Sequence, residues 1–134
     1  MRGTLLEVPI QPEQMAHLLA LAALEKKAHD LAILDMRGLI DYSDVFVICS
    51  ATNRRQVKAI AEEVRRSGKR DHGFTFSGVE GLEAARWVLV DFGDVVVHVF
   101  DDPLRGFYDL DGLWADAPRP PLPEGAEEAT SPLI

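Results

Sequence analysis

The stretch Trp87 to Phe100, WVLVDFGDVVVHVF, decides the fold. Two Val-rich runs flank Asp91-Phe92-Gly93-Asp94, and a Gly in a short polar break between β-formers predicts a β-hairpin. The turn is either Phe92-Gly93 or Gly93-Asp94. Both choices sort the side chains identically, because successive strand residues point to opposite faces of a sheet. One face collects Val88, Val90, Val95, Val97 and Val99; with no polar group, it must be core. The other collects Trp87, Leu89, Asp91, Val96, His98 and Phe100. That mixture suits a second packed face with His98 satisfied inside the fold. It also suits a docking surface, where aromatic anchors sit beside a few charges.

Working outward, Leu31 to Met36 and Val45 to Ser50 are two short apolar strands. The polar loop Arg37 to Asp44 is too short for a helical crossover, so this pair is expected to be antiparallel. Pro12 opens a first helix in which Met15, Leu18, Leu19, Ala22 and Ala23 recur at helical spacing up to Lys27; Leu21 and Leu24 widen its stripe beyond one core face. A second helix, capped by Thr52 or Asn53, places Val57, Ile60, Ala61 and Val64 inward and ends near Ser67-Gly68. Phe74 to Ser77 is expected to be a brief strand and Gly78 to Glu83 a loop. After the hairpin, Asp101 or Asp102 caps one short helix with Pro103 at its start and an apolar side from Leu104 to Trp114. The segment 115–134 holds five of the eight prolines and has no period, so a flexible acidic tail is expected. The division is then an extension at 1–10, one α/β (α+β) domain with a mixed sheet over 11–114, and the tail.

With 134 residues the chain is one domain's worth. No run approaches the ~18 apolar residues of a membrane span, and the N-terminal residues lack a secretory pattern, so a soluble cytoplasmic protein is expected. Cys49, the single cysteine, is expected to be buried and inert, and it excludes an internal disulfide or zinc cluster. A net charge of -8 argues against binding bare nucleic acid and favours a basic protein partner.

No phosphate loop, dinucleotide fingerprint, zinc spacing or nucleophile elbow occurs. Asp91-Phe92-Gly93 matches a kinase triplet without the rest of a kinase. Asp41 with Asp44, and Asp91 with Asp94, have the chemistry to hold magnesium, but turn capping explains both pairs, since Asp bonds nearby backbone N–H groups in turns. Catalytic residues, cofactor and metal are therefore all expected to be absent.

Three segments carry a resemblance: SDVFVICSATNRRQVKAIAEEV, VEGLEAARWVLVDFGDVVVHVF and FYDLDGLWADAP. In order and at matching spacing, over about Ala28 to Pro118, they resemble the RsfS/Iojap family of ribosome silencing factors. Glu80-Gly81, Trp87, Asp91 to Val95, Val97 to Phe100 and Tyr108 to Trp114 weigh most. Ala51 departs from the pattern, which usually has Gly there. The resemblance implies a nucleotidyltransferase-like mixed-sheet fold without its catalytic residues. It also implies binding to the large ribosomal subunit through its fourteenth ribosomal protein, with small-subunit joining sterically blocked. On this reading Trp87, Leu89 and Asp91 form the docking surface, with Glu80 and Asp94 as charge partners for the ribosomal protein. Two other readings compete: a small magnesium-dependent nucleotidyltransferase using Asp91, Asp94 or Asp41, and a homodimer formed through the wide stripe of the first helix.

Overall fold

A computed structural model describes residues 10–126. The hairpin forms as expected. Its strands, β4 (Trp87–Asp91) and β5 (Val95–Asp101), run antiparallel with Val88 opposite Val99 and Val90 opposite Val97. The turn is Gly93-Asp94: the Phe92 N–H donates to the Val95 carbonyl at 2.9 Å, and Gly93 takes φ +83°. Positive φ at the first turn position matches the twist of the flanking strands, which is why a Gly stands there. Asp91 fastens the turn by accepting the Gly93 N–H at 2.7 Å, the capping role its position suggests.

The two earlier strands, β1 (His29–Asp35) and β2 (Val45–Ala51), pair antiparallel. β2 then lies parallel to β5, and a three-residue strand β3 (Gly78–Glu80) pairs antiparallel with β4. The result is a five-stranded mixed sheet in the order β1-β2-β5-β4-β3. Its middle strands, β2 and β5, are buried along their whole length.

The first face is covered by α1 (Pro12–Glu25) and α2 (Arg54–Arg66). Pro12 occupies the first turn of α1, and Gln11 and Gln14 cap each other's backbone N–H groups. Met15, Ala16, Leu19 and Ala23 are buried against the Val side of the hairpin, whereas Leu21 from the wide stripe stays 42 % exposed. Asn53 caps α2 by accepting the Gln56 N–H at 2.8 Å, and the four apolar positions at helical spacing are all buried. Cys49 lies in this core, where burial pushes its thiol pKa up to about 12 and keeps it protonated.

Four local expectations change. Helix α2 does not stop at Ser67 but runs into a π-helical turn, Ser67–Asp71. Gly68 permits this, because a Cβ there would collide with the Phe92 ring. Phe74 to Ser77 is not a strand, since Phe74 and Phe76 pack edge-on to Phe92; the strand is Gly78–Glu80 instead, inside the stretch Gly78 to Glu83 expected as a loop. The single helix expected after the hairpin is two, α3 (Asp102–Tyr108) and α4 (Leu110–Leu113). Asp109, with φ +48°, ends one and caps the other through the Gly112 N–H. Finally, residues 115–126, read from composition as tail, lie against the domain. The Asp35 N–H on the β1 edge donates to the Pro118 carbonyl at 2.8 Å, while Ala117 joins the second-face cluster and Ala126 the first. Small apolar groups can pack without a period, so a periodicity argument misses them. Residues 1–9 of the extension and 127–134 of the tail fall outside the described residues.

Candidate functional site

The second face of the sheet is only partly roofed. Phe46, Ile48, Val96 and Phe100 are buried there under α3, α4 and the 115–117 segment, while Trp87 and Leu89 are left half-buried. The strand registers explain which side chains meet. Glu80 lies opposite Leu89, Leu89 opposite His98, and Trp87 opposite Phe100. Four of the five residues singled out from sequence, Trp87, Leu89, Asp91 and Glu80, therefore share this face. The fifth, Asp94, stands exposed at the hairpin tip, where its carbonyl accepts the Asp44 and Val45 N–H groups and the Ser43 hydroxyl. Between Leu89, Asp91, Glu80 and Tyr42 is a cleft of about 550 Å³.

Trp87 is held on three sides. Its ring stacks on Phe100 at 4.9 Å and tilts against Tyr108 at 4.8 Å. Its indole N–H donates to His98 Nδ1 at 3.2 Å. Because Nδ1 accepts, the neutral ring carries its proton on Nε2, and that atom is buried without a hydrogen-bond partner. Burial pushes the His98 pKa down to about 4, so the ring is neutral at physiological pH. Protonation would place a donor at Nδ1 facing the indole donor. His98 is thus buried as the packed-face reading expects, but only one of its two nitrogens is satisfied.

The described residues also leave large apolar groups exposed, among them Phe107, Tyr108 and Leu113, which the sequence placed on the apolar side of a helix. Tyr42, Phe107 and Leu113 are 68 %, 78 % and 68 % exposed, and Tyr108 is 47 % exposed. The helical spacing of Phe107, Tyr108 and Leu113 suggested a buried side; the break at Asp109 turns that side outward.

Asp101 connects the roof to the sheet. It caps α3 by accepting the Leu104 N–H at 3.0 Å and accepts the Arg86 Nε–H at 2.7 Å. Burial acts to raise its pKa, but these bonds outweigh it and hold the carboxyl below its ordinary range. Arg105 of α3 likewise donates to Asp111 at 3.0 Å and to Ser50 Oγ on β2 at 2.7 Å.

Neither Asp41/Asp44 nor Asp91/Asp94 belongs to a group of three metal-ligating side chains. Among the described residues one such group exists, His29, Asp30 and Asp102, in which His29 Nε2 lies 2.8 Å from Asp102 Oδ1. The same residues contain no helix long and apolar enough to cross a membrane.

The family model described as "Ribosomal silencing factor during starvation" matches residues 9–132. A curated relative from Bacillus subtilis, named Ribosomal silencing factor RsfS, is 43 % identical over 109 residues, covering 81 % of this chain and 92 % of the relative. A mouse protein named Mitochondrial assembly of ribosomal large subunit protein 1 is 29 % identical over 92 residues, or 67 % of this chain and 40 % of its own. The crystal structure of a Chromobacterium violaceum protein superposes with a TM-score of 0.76 at 33 % identity, covering 90 % of this chain and 98 % of that one. The ribosomal silencing factor names are those of regulatory proteins rather than enzymes. A model match across nearly the whole chain, joined to the RsfS relative and the shared fold, places this chain in the RsfS family of ribosomal silencing factors.

Proposed function

We propose that this protein binds the large ribosomal subunit through its fourteenth ribosomal protein and sterically blocks joining of the small subunit, repressing translation. The observation that carries the reading is the half-buried Trp87, locked by His98, Phe100 and Tyr108 on an incompletely roofed sheet face. A rigid aromatic loses little freedom on binding and is the kind of anchor that dominates interface energies. Leu89 extends the apolar surface, Asp91 and Glu80 line the adjoining cleft, and Asp94 at the hairpin tip adds a third carboxylate. Those acids suit a basic ribosomal protein. Family membership and the large-subunit assembly named for the mouse relative support the choice of partner. Acting on ribosomes, the protein would work in the cytoplasm.

The test is co-sedimentation with separated subunits followed by a joining assay. Wild type is expected to travel with large subunits and reduce joining. Trp87→Ala should weaken that binding by at least ~2 kcal/mol, roughly thirtyfold, with the fold intact by circular dichroism. Unchanged affinity of a folded Trp87→Ala would remove Trp87 from the docking surface. Self-association of the free protein is a second reading, favoured by Ile10 and Leu21, 40 % and 42 % exposed beside α1. Light scattering that shows a monomer across the micromolar range would end it.

A further inference from the structure

The charge of this chain is segregated. Residues 54–71, α2 with its π-helical turn, hold seven of its fourteen Lys and Arg residues against three carboxylates, a net +4. Since the whole chain is -8, the remainder carries -12. The structure sharpens the division. Among the described residues, the cations away from this segment and the α1–β1 turn are Arg37, Arg86, Arg105 and Arg119, and each is in an ion pair with a carboxylate. By contrast Arg54, Arg55, Lys58 and Arg70 are exposed and in no ion pair, and Lys69 has its ammonium over the Phe76 ring at 4.9 Å. Lys26 and Lys27, also in no ion pair, join this surface because the Gln56 side chain donates to both their carbonyls at 3.0 Å.

Stability does not account for the arrangement. Cations at the α2 C-terminus complement the helix dipole, which explains Arg65 and Arg66. Arg54 and Arg55 occupy the first turn, where the dipole disfavours positive charge, and no acidic residue accompanies them. The surface holds its cations at both ends of the helix in spite of this. It also lacks the exposed aromatic anchors of a protein docking site, since Tyr42, Phe107 and Tyr108 are exposed on the other side of the sheet. Arg65 and Arg66 are paired with Glu62, Glu63 and Asp71, and Arg54 acts on Asp101, but the row of exposed cations outnumbers these acids and has no apolar anchors. It fits the regular charge of a phosphate backbone, whose binding is electrostatic and independent of sequence.

We infer that the outer face of α2 with its π-helical turn binds an RNA phosphate backbone. The inference goes beyond the docking of Trp87 and does not depend on it, because the two surfaces lie on opposite sides of the sheet. An acidic chain would be held off RNA everywhere except at this face, which fixes its orientation toward a polyanion.

The test uses the full chain and a fluorescein-labelled 20-base-pair RNA duplex, followed by anisotropy at ~50 and ~200 mM KCl. Wild type is expected to bind in the range from about 1 to 100 μM at the lower salt and at least ~10-fold more weakly at the higher. Arg55→Glu with Lys58→Glu and Arg70→Glu should lower affinity at least ~10-fold with the fold intact by circular dichroism. The same three positions changed to Gln should give a smaller loss in the same direction, a check that survives misfolding of the Glu variant. Trp87→Ala should bind the duplex as wild type does. Absence of salt-sensitive binding by wild type, or full affinity in a folded Gln variant, would overturn the inference. Equal affinity for a labelled poly-glutamate peptide would overturn the assignment to RNA.

Discussion

His98 shows how one residue links the core to the proposed docking surface. Its Nδ1 fixes the Trp87 indole, yet its Nε2 is buried without a partner, so the contact is kept against a desolvation cost. With a folded pKa of about 4 against an ordinary 6.5, the unfolded chain binds a proton at this site that the folded chain refuses. Its contribution to stability is therefore complete above pH 6.5 and falls as the pH drops through the window down to 4, by up to about 3 kcal/mol. The carboxyls of Asp101 and Asp111, held below their usual range, lose their contribution only at lower pH still. Urea denaturation at pH 7 and pH 4.5 should show this loss in wild type and a flattened profile in His98→Leu. The same variant removes the indole acceptor, and large-subunit affinity should fall about fivefold or more, as for the loss of one hydrogen bond of about 1 kcal/mol. A His98→Leu protein with wild-type affinity would make His98 a packing residue alone.

Two connections place the surface elements, and both depend on single residues. Gly81, at φ +89°, turns β3 into the approach to β4, and a Cβ there would meet the Trp87 carbonyl oxygen. Gly81→Ala should cost about 2 kcal/mol or more, from left-handed strain and collision with rigid backbone, and a thermal melt reads the loss. Asp101 ties the α3 cap to Arg86, so Asp101→Ala should cost about 2 kcal/mol and release Tyr108 from Trp87, visible as a change in Trp fluorescence. At this scale β1, β2, β4, β5 and the two long helices were legible, because period-2 and period-3.6 patterns follow directly from strand and helix geometry, whereas the three residues of β3 were read as loop. What was not legible depended on contacts distant in sequence. In the π-helical turn Gly68 lies where a Cβ would collide with Phe92, and in place of the strand expected at Phe74 to Ser77 two Phe rings turn toward that same Phe92. Likewise the exposure of Phe107 and Leu113 follows from the left-handed backbone at Asp109, which no hydrophobic pattern announces.

The whole molecule is a sheet with two unlike sides, one sealed by α1 and α2 and one left partly open around Trp87. Four of the five sequence-selected residues met on the open side because strand parity sorted them there; Asp94 did not, since a turn residue escapes that rule. Net charge was a poorer guide. A total of -8 conceals a +4 surface, because a sum over the chain discards position. The measurement that bears most directly on the central claim is subunit joining in the presence of wild type, Trp87→Ala and no protein, with large-subunit binding followed by co-sedimentation in the same samples. The proposed function predicts that wild type binds large subunits and lowers joining, while folded Trp87→Ala loses both effects together. Joining unaffected by wild type already bound to large subunits would contradict it.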